Sequence, residues 1–289
     1  MLNACSVYTD LAFHALAFIP PAQDASGVAR ASSIHRPAWI QAAREHFNPQ
    51  SYWPFEEDAA LLSRLCANPE SALAVQQLPF LHADIPSFLK AARFDIHSLA
   101  DGDVHMPSLL HEMRRAPREA IEILRADMAL SARAFAREHA EHLGPFVDRF
   151  CVHNALDFDQ IAQQLPAFSN VDIFVSATLG PHGRALNRSV VTGINLSPWV
   201  ENDAQDTCFW GRVAHEISVI AALAKAPDAS WAELERTALD AGEIAFFNSI
   251  VYNSYSNWRA TIREDSLPKK PAGANLTTAV AQCLRAGRW

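Results

Sequence analysis

Apolar residues recur at helical spacing along most of this chain, and at strand spacing over one short stretch of it. Residues 11–19 form an apolar run broken by His14, and Pro20, Pro21, Pro37, Pro49 and Pro54 punctuate the chain beyond it. The first 55 residues therefore read as one short helix and then irregular chain. Helical patterns begin over 55–68 and resume after Pro69. A long one follows Pro117, which suits a first-turn proline. Ile121, Leu124, Met128, Leu130 and Phe135 form its apolar face, and Gly144-Pro145 is expected to stop it. Another short helix is expected after Asp157.

The pattern changes at 171–176 (VDIFVS) and 189–196 (SVVTGINL), which are rich in β-branched and aromatic residues and flanked by turn formers. Both read as strands. The dozen residues between them, including Gly180-Pro181-His182-Gly183, form a loop too long for a tight hairpin. Helical spacing returns from Phe209 to Lys225. Ser230-Trp231-Ala232-Glu233 is a capping box that starts the next helix, and Leu234, Leu239, Ile244, Phe247, Ile250 and Val251 carry it to about Asn253. Leu267-Pro268-Lys269-Lys270-Pro271 reads as a linker, and a last short helix covers about 276–285. The predicted fold is α+β and predominantly α-helical, with a helical N-terminal region over 1–150 and an α+β C-terminal region over 151–289. A small sheet around 171–196 is expected to pack against the helix of His215 and Glu216.

Length and charge narrow the function classes. At 289 residues the chain can bury a core as one large domain or two small ones. Its net charge of -8 is spread without an acidic block or a basic stripe, which argues against a nucleic-acid partner. The 11–19 run is shorter than the ~20 residues a bilayer requires, and no Lys or Arg precedes it as in a secretory leader. A cytoplasmic chain without membrane insertion is the expectation. Cys5, Cys66, Cys151, Cys208 and Cys283 are scattered and form no C-x-x-C pair, so no disulfide framework or cysteine zinc knuckle is indicated. The chain has no G-x-x-x-x-G-K-[ST], no G-x-G-x-x-G after a strand and no G-x-S-x-G, which disfavours nucleotide chemistry and a serine nucleophile elbow.

Candidate chemistry concentrates in residues 213–223. This helical segment is apolar on every face, and its strongly polar members are His215, Glu216 and Ser218. A carboxylate buried there needs a partner or a metal, because desolvating an unpaired charge is costly. His215-Glu216-Ile217-Ser218-Val219 resembles the H-E-x-x-H helix of the zincin metallopeptidases, with Val219 in place of the second histidine. The order strand, loop, strand, H-E helix and Glu-bearing helix over about 170–255 is similar to the gluzincin core.

The resemblance implies zinc on His215, with Glu216 as the catalytic base on metal-bound water. It implies a further Glu ligand from the next helix, where Glu243 is the candidate and Glu235 and Asp240 compete. It also implies a strand along the substrate cleft upstream of the active-site helix. The missing ligand leaves three readings open. His182, His14 or His153 could substitute in an active peptidase. The chain could be a pseudoenzyme that binds a peptide or protein partner without metal. Or it could be a non-enzymatic, mostly helical interaction protein in which His215 and Glu216 are only core.

Other clusters carry less. Glu138 and His142 lie at i and i+4, but a His in a last helical turn is explained by the helix dipole. Cys151 and His153 are two apart and do not face one another on a helix. Asp95, His97, Asp101, Asp103 and His105 read as a polar loop without calcium-loop spacing. Arg184 and Arg188 beside Gly180 and Gly183 offer a place for an anion or carboxylate.

Overall fold

A computed structural model describes residues 2–7, 9–11, 13, 133, 135–137, 139–179, 183–186, 189–194, 207–229, 231–262 and 274–288. It has the α+β, predominantly helical fold expected from the pattern. No described helix is long and apolar enough to cross a membrane. The chain divides into two compact units. Met1–Ala4, Val147–Ser176 and Gly180–Trp289 form the first, and Cys5–Phe146 with Ala177–Leu179 form the second.

The first unit holds a four-stranded sheet. β1 (Leu2–Ala4), β2 (Asp172–Ser176) and β4 (Ser189–Gly193) run parallel, and β3 (Gly183–Leu186) pairs antiparallel with β4, in the order β1-β2-β4-β3. Val190 and Val191 in β4 point to opposite faces and are both buried, so this strand is covered on both sides. The parallel pairing of β2 with β4 explains why their connection is long, since parallel strands cannot be joined by a tight hairpin. The expected loop is revised in one respect: Gly183–Leu186 within it form the outermost strand of the described sheet.

The helices are α1 (Gly144–Gln164), α2 (Pro166–Ser169), α3 (Phe209–Lys225), α4 (Trp231–Phe246), α5 (Tyr252–Thr261) and α6 (Ala274–Ala286). α3 is the centre of the unit. It packs against α4, α5, α6, β3 and β4, and residues 211–223 are all buried. Its all-round apolar sequence requires this environment, and Pro227 follows its end at Ala226.

Three helix boundaries differ from the pattern. No helix starts after Asp157, because α1 runs unbroken from Gly144 to Gln164. Gly144-Pro145 does not simply stop a helix, because a π-helical turn (His139–Leu143) leads straight into α1 there. Pro145 has no N–H to donate to the preceding turn, so the regular ladder of hydrogen bonds is interrupted where the π-helical turn meets α1. The single helix expected to reach Asn253 ends at Phe246. The Ser249 N–H and Oγ both donate to the Phe246 carbonyl, at 2.8 Å each, a local competition that Ser and Asn offer to helical bonding. α5 then starts anew and is anchored by the buried Tyr255 and Trp258, one turn apart.

Close approach of α3 to α5 depends on Gly211. Its N–H donates to Ser254 Oγ at 2.7 Å, and a Cβ there would lie 2.2 Å from the Ser254 carbonyl oxygen. Since the clash is with backbone, Gly211→Ala is expected to cost about 1–3 kcal/mol, the usual range for an overpacked core. Urea unfolding of the variant checks this, and an unchanged midpoint would show that the two helices separate without penalty.

The described part of the second unit centres on Asp10. Its carboxylate meets His139 Nε2 at 2.8 Å and accepts the Ala177 N–H at 3.1 Å, while Thr178 Oγ1 donates to its backbone carbonyl at 2.6 Å.

Candidate functional site

α3 places His215 and Glu216 next to each other, but a helical step of about 100° per residue sends their side chains to different neighbours. His215 faces α4 and α5. Its Nε2 lies 2.8 Å from Glu235 Oε2, and its ring stacks on Trp258 with centroids 4.4 Å apart and planes at 33°. His215 is 2% exposed and Glu235 23%, so Glu235 is the side of the pair that reaches solvent. His215 Nδ1 is buried and, among the described residues, has no hydrogen-bond partner.

Glu216 turns instead toward the sheet edge. It accepts a hydrogen bond from the Ala185 N–H in β3, with the charge of Arg184 nearby. The approach is possible because residue 183 has no side chain: a Cβ on Gly183 would lie 2.6 Å from Glu216 Cγ and 2.8 Å from its Oε1. Arg184 is buried, and one of its guanidinium nitrogens donates to the Gly183 carbonyl. Arg212, also buried, holds α3 to β4 by donating to the Gly193 carbonyl at 2.9 Å and to Thr192 Oγ1 at 3.4 Å.

The electrostatics follow from this packing. Burial pushes the Glu216 carboxyl up to about 7, and the like charge of Glu235 adds to it. His215, Arg184 and the Ala185 N–H act the other way. Burial alone would lower His215, but the charge and hydrogen bond of Glu235, with Glu216 behind them, leave the imidazole above its ordinary value. Burial lowers Arg184 from its ordinary value, opposed by Glu216 and then Glu235.

No family model, curated protein or solved structure matches the chain.

The chemistry is therefore read from the side chains themselves. The structure gathers His215, Glu216, Glu235 and Arg184, and it places Glu243 elsewhere. The Glu243 carboxylate accepts from Tyr252 Oη at 2.8 Å and from Arg259 Nη1 at 3.3 Å. Asp240 joins the same surface network through Arg236 and Arg259, at 3.4 and 3.6 Å. Val219 is fully buried, and Ser218 Oγ donates back to the Ala214 carbonyl at 2.8 Å. His153 lies on an exposed stretch of α1. His182, His14, Arg188, Glu138 and the 95–105 loop lie outside the described residues. Burial, with Asp148 nearby, raises the Cys151 thiol to about 11, which keeps it protonated and a poor nucleophile.

A catalytic zinc takes three protein donors. Among the described residues no group of three His, Cys, Asp or Glu side chains is set to hold a metal. His215 Nε2 and Glu235 Oε2, at 2.8 Å, are also closer than the ~3.4 Å separating two tetrahedral ligands at zinc bond lengths. The described donors do not fit that ion. They suit a shared proton and a fixed hydrogen bond between helices.

Two members of this cluster carry no sequence signal. Trp258 sits in a polar segment, and Gly183 has a role only through what lies against it. Arg184 stands out in the sequence as a receiver of carboxylates, and the carboxylates near it belong to Glu216 and Glu235.

Proposed function

We propose that the chain is a gluzincin-like relative whose zinc motif has eroded, a pseudoenzyme that binds an extended peptide or protein segment along β3. The observation that carries this reading is the direct His215–Glu235 hydrogen bond. It joins the H-E helix to a glutamate of the following helix, the two positions that such a metal would otherwise bridge, while Val219 supplies no donor. The placement of β3 supports the same reading: at one end of the described sheet, it lies against Glu216, as the resemblance requires of a cleft strand.

In this reading the protein neither holds zinc nor hydrolyses amides. Protein purified without a nickel column, supplied with zinc and then dialysed, is expected to carry far less than one zinc per chain by elemental mass spectrometry. His215→Ala should leave that value unchanged. Near-stoichiometric zinc that disappears in His215→Ala would overturn the proposal in favour of an active peptidase. A second reading, a helical interaction protein in which α3 is only core, is favoured by the burial of residues 211–223 without exception. Binding of extended peptides at β3 separates the two.

A further inference from the structure

α1 carries apolar side chains on the face opposite its buried residues. Val147 and Ile161 are buried, whereas Val152 and Leu156, at 77% and 73% exposed, are the most exposed large apolar side chains among the described residues. At about 100° per residue, the two pairs fall on opposite sides of the helix. Arg149 and Asp159 are exposed on the same stripe as Val152 and Leu156, and the four follow one another at spacings of three, four and three residues. Those are the spacings of a coiled-coil seam. An exposed apolar residue standing alone is ordinary. Two in succession along one seam, ended by opposite charges, make a patterned surface.

The pattern is symmetrical about Asn154. Val152 and Leu156 lie two residues to either side of it, and Arg149 and Asp159 five. We propose that this face of α1 joins two copies of the chain as an antiparallel homodimer about a two-fold axis at the level of Asn154. Val152 of one copy then faces Leu156 of the other, and Arg149 of one faces Asp159 of the other, each pair being made twice. A parallel arrangement would instead set Arg149 against Arg149 and Asp159 against Asp159. The occupant is a second copy because the order of charges complements its own reversal, as an isologous contact requires. The chain's net charge of -8 opposes self-association, but the seam adds nothing to it, with one cation and one anion per copy. Exposed ion pairs contribute little affinity, so the charges act chiefly on orientation and register. A contact of about three helical turns lies at the small end of specific interfaces, below ~1,200 Å² in total, and gives weak, concentration-dependent association.

Sedimentation equilibrium of the full chain, from micromolar to millimolar concentration, tests the interface. The wild type is expected to form dimers and nothing larger, because a two-fold contact closes on itself. Arg149→Glu and Asp159→Arg should each weaken dimerisation about tenfold, since each turns both opposite-charge pairs into like-charge pairs. Mixed in equal amounts, the two variants should associate as the wild type does, because each offers the charge that the other lacks. The combined Arg149→Glu, Asp159→Arg chain should also recover, which a variant that merely misfolds would not do. Leu156→Glu alters a side chain already in water, and should abolish dimers while leaving the circular dichroism unchanged. A wild type that stays monomeric over the whole range overturns the proposal. So does a dimer that survives Leu156→Glu, which would place the contact on another face. A mixture of the two charge variants that associates no better than either alone overturns the antiparallel pairing.

Discussion

Between pH 5 and pH 8 the unfolding free energy of this protein should fall, and Glu216→Gln should remove most of the decline. Glu216 has its carboxyl raised to about 7 by burial, against 4.5 for an ordinary glutamate. A carboxyl whose folded pKa is raised keeps its proton in the native state while the unfolded chain has released it. Stability is then unaffected below about 4.5, declines as pH rises, and levels off above about 7. At ~1.36 kcal/mol per pH unit, the ceiling on the loss is about 3 kcal/mol.

His215 pushes the same way. Its folded pKa is raised, so its contribution is complete below 6.5 and is lost as pH passes through the folded value. The two groups interact and titrate as a set, so their effects are not summed. Ordinary exposed carboxylates are already ionised across this window, and comparison with the Gln variant cancels the other histidines. Urea midpoints at pH 5, 6, 7 and 8 make the measurement. Glu216→Gln, which resembles the protonated side chain, should match the wild type at pH 5 and exceed it at pH 8. Parallel curves for the two proteins would mean that Glu216 is solvated in solution.

Much of the fold can be read from residue spacing, for a consistent physical reason. α3 is legible because an apolar segment of 17 residues is too long for a strand and so reads as a buried helix, and α4 starts at Trp231, the residue after Ser230 of the capping box. β2 and the β-branched run of β4 are equally plain. The features that spacing does not reveal depend on tertiary partners. β1 has three residues and no measurable period, and β3 is a strand only because β4 lies beside it. The choice between Glu235 and Glu243 is of the same kind. The two lie eight residues apart on α4, about 12 Å along its axis, and which of them meets His215 depends on how far α4 slides along α3. No hydrophobic period encodes that slide. Trp258 is silent in the sequence because one aromatic in a polar stretch predicts neither a helix nor a partner, yet it lies against the most buried polar ring of the cluster.

That placement makes Trp258→Ala a strongly destabilising substitution. Trp258 is 8% exposed, contacts the Tyr255 ring as well as His215, and is one of the two buried anchors of α5. Truncating a buried tryptophan to alanine costs about 3–5 kcal/mol, a large part of the ~5–15 kcal/mol by which a typical domain is stable. Trp258→Phe should recover more than half of the loss by retaining a ring against the imidazole. The two variants also separate packing from chemistry. If Trp258 acts only as core, the pH dependence of stability keeps its wild-type shape in Trp258→Phe and is merely displaced downward. If the indole face helps hold His215 protonated, as a cation over an aromatic ring is held, the decline in Trp258→Phe begins at lower pH than in the wild type. Chemical unfolding of the three proteins across the same pH series decides between these outcomes. A Trp258→Ala protein as stable as the wild type would mean that α5 does not pack on α3 through this ring.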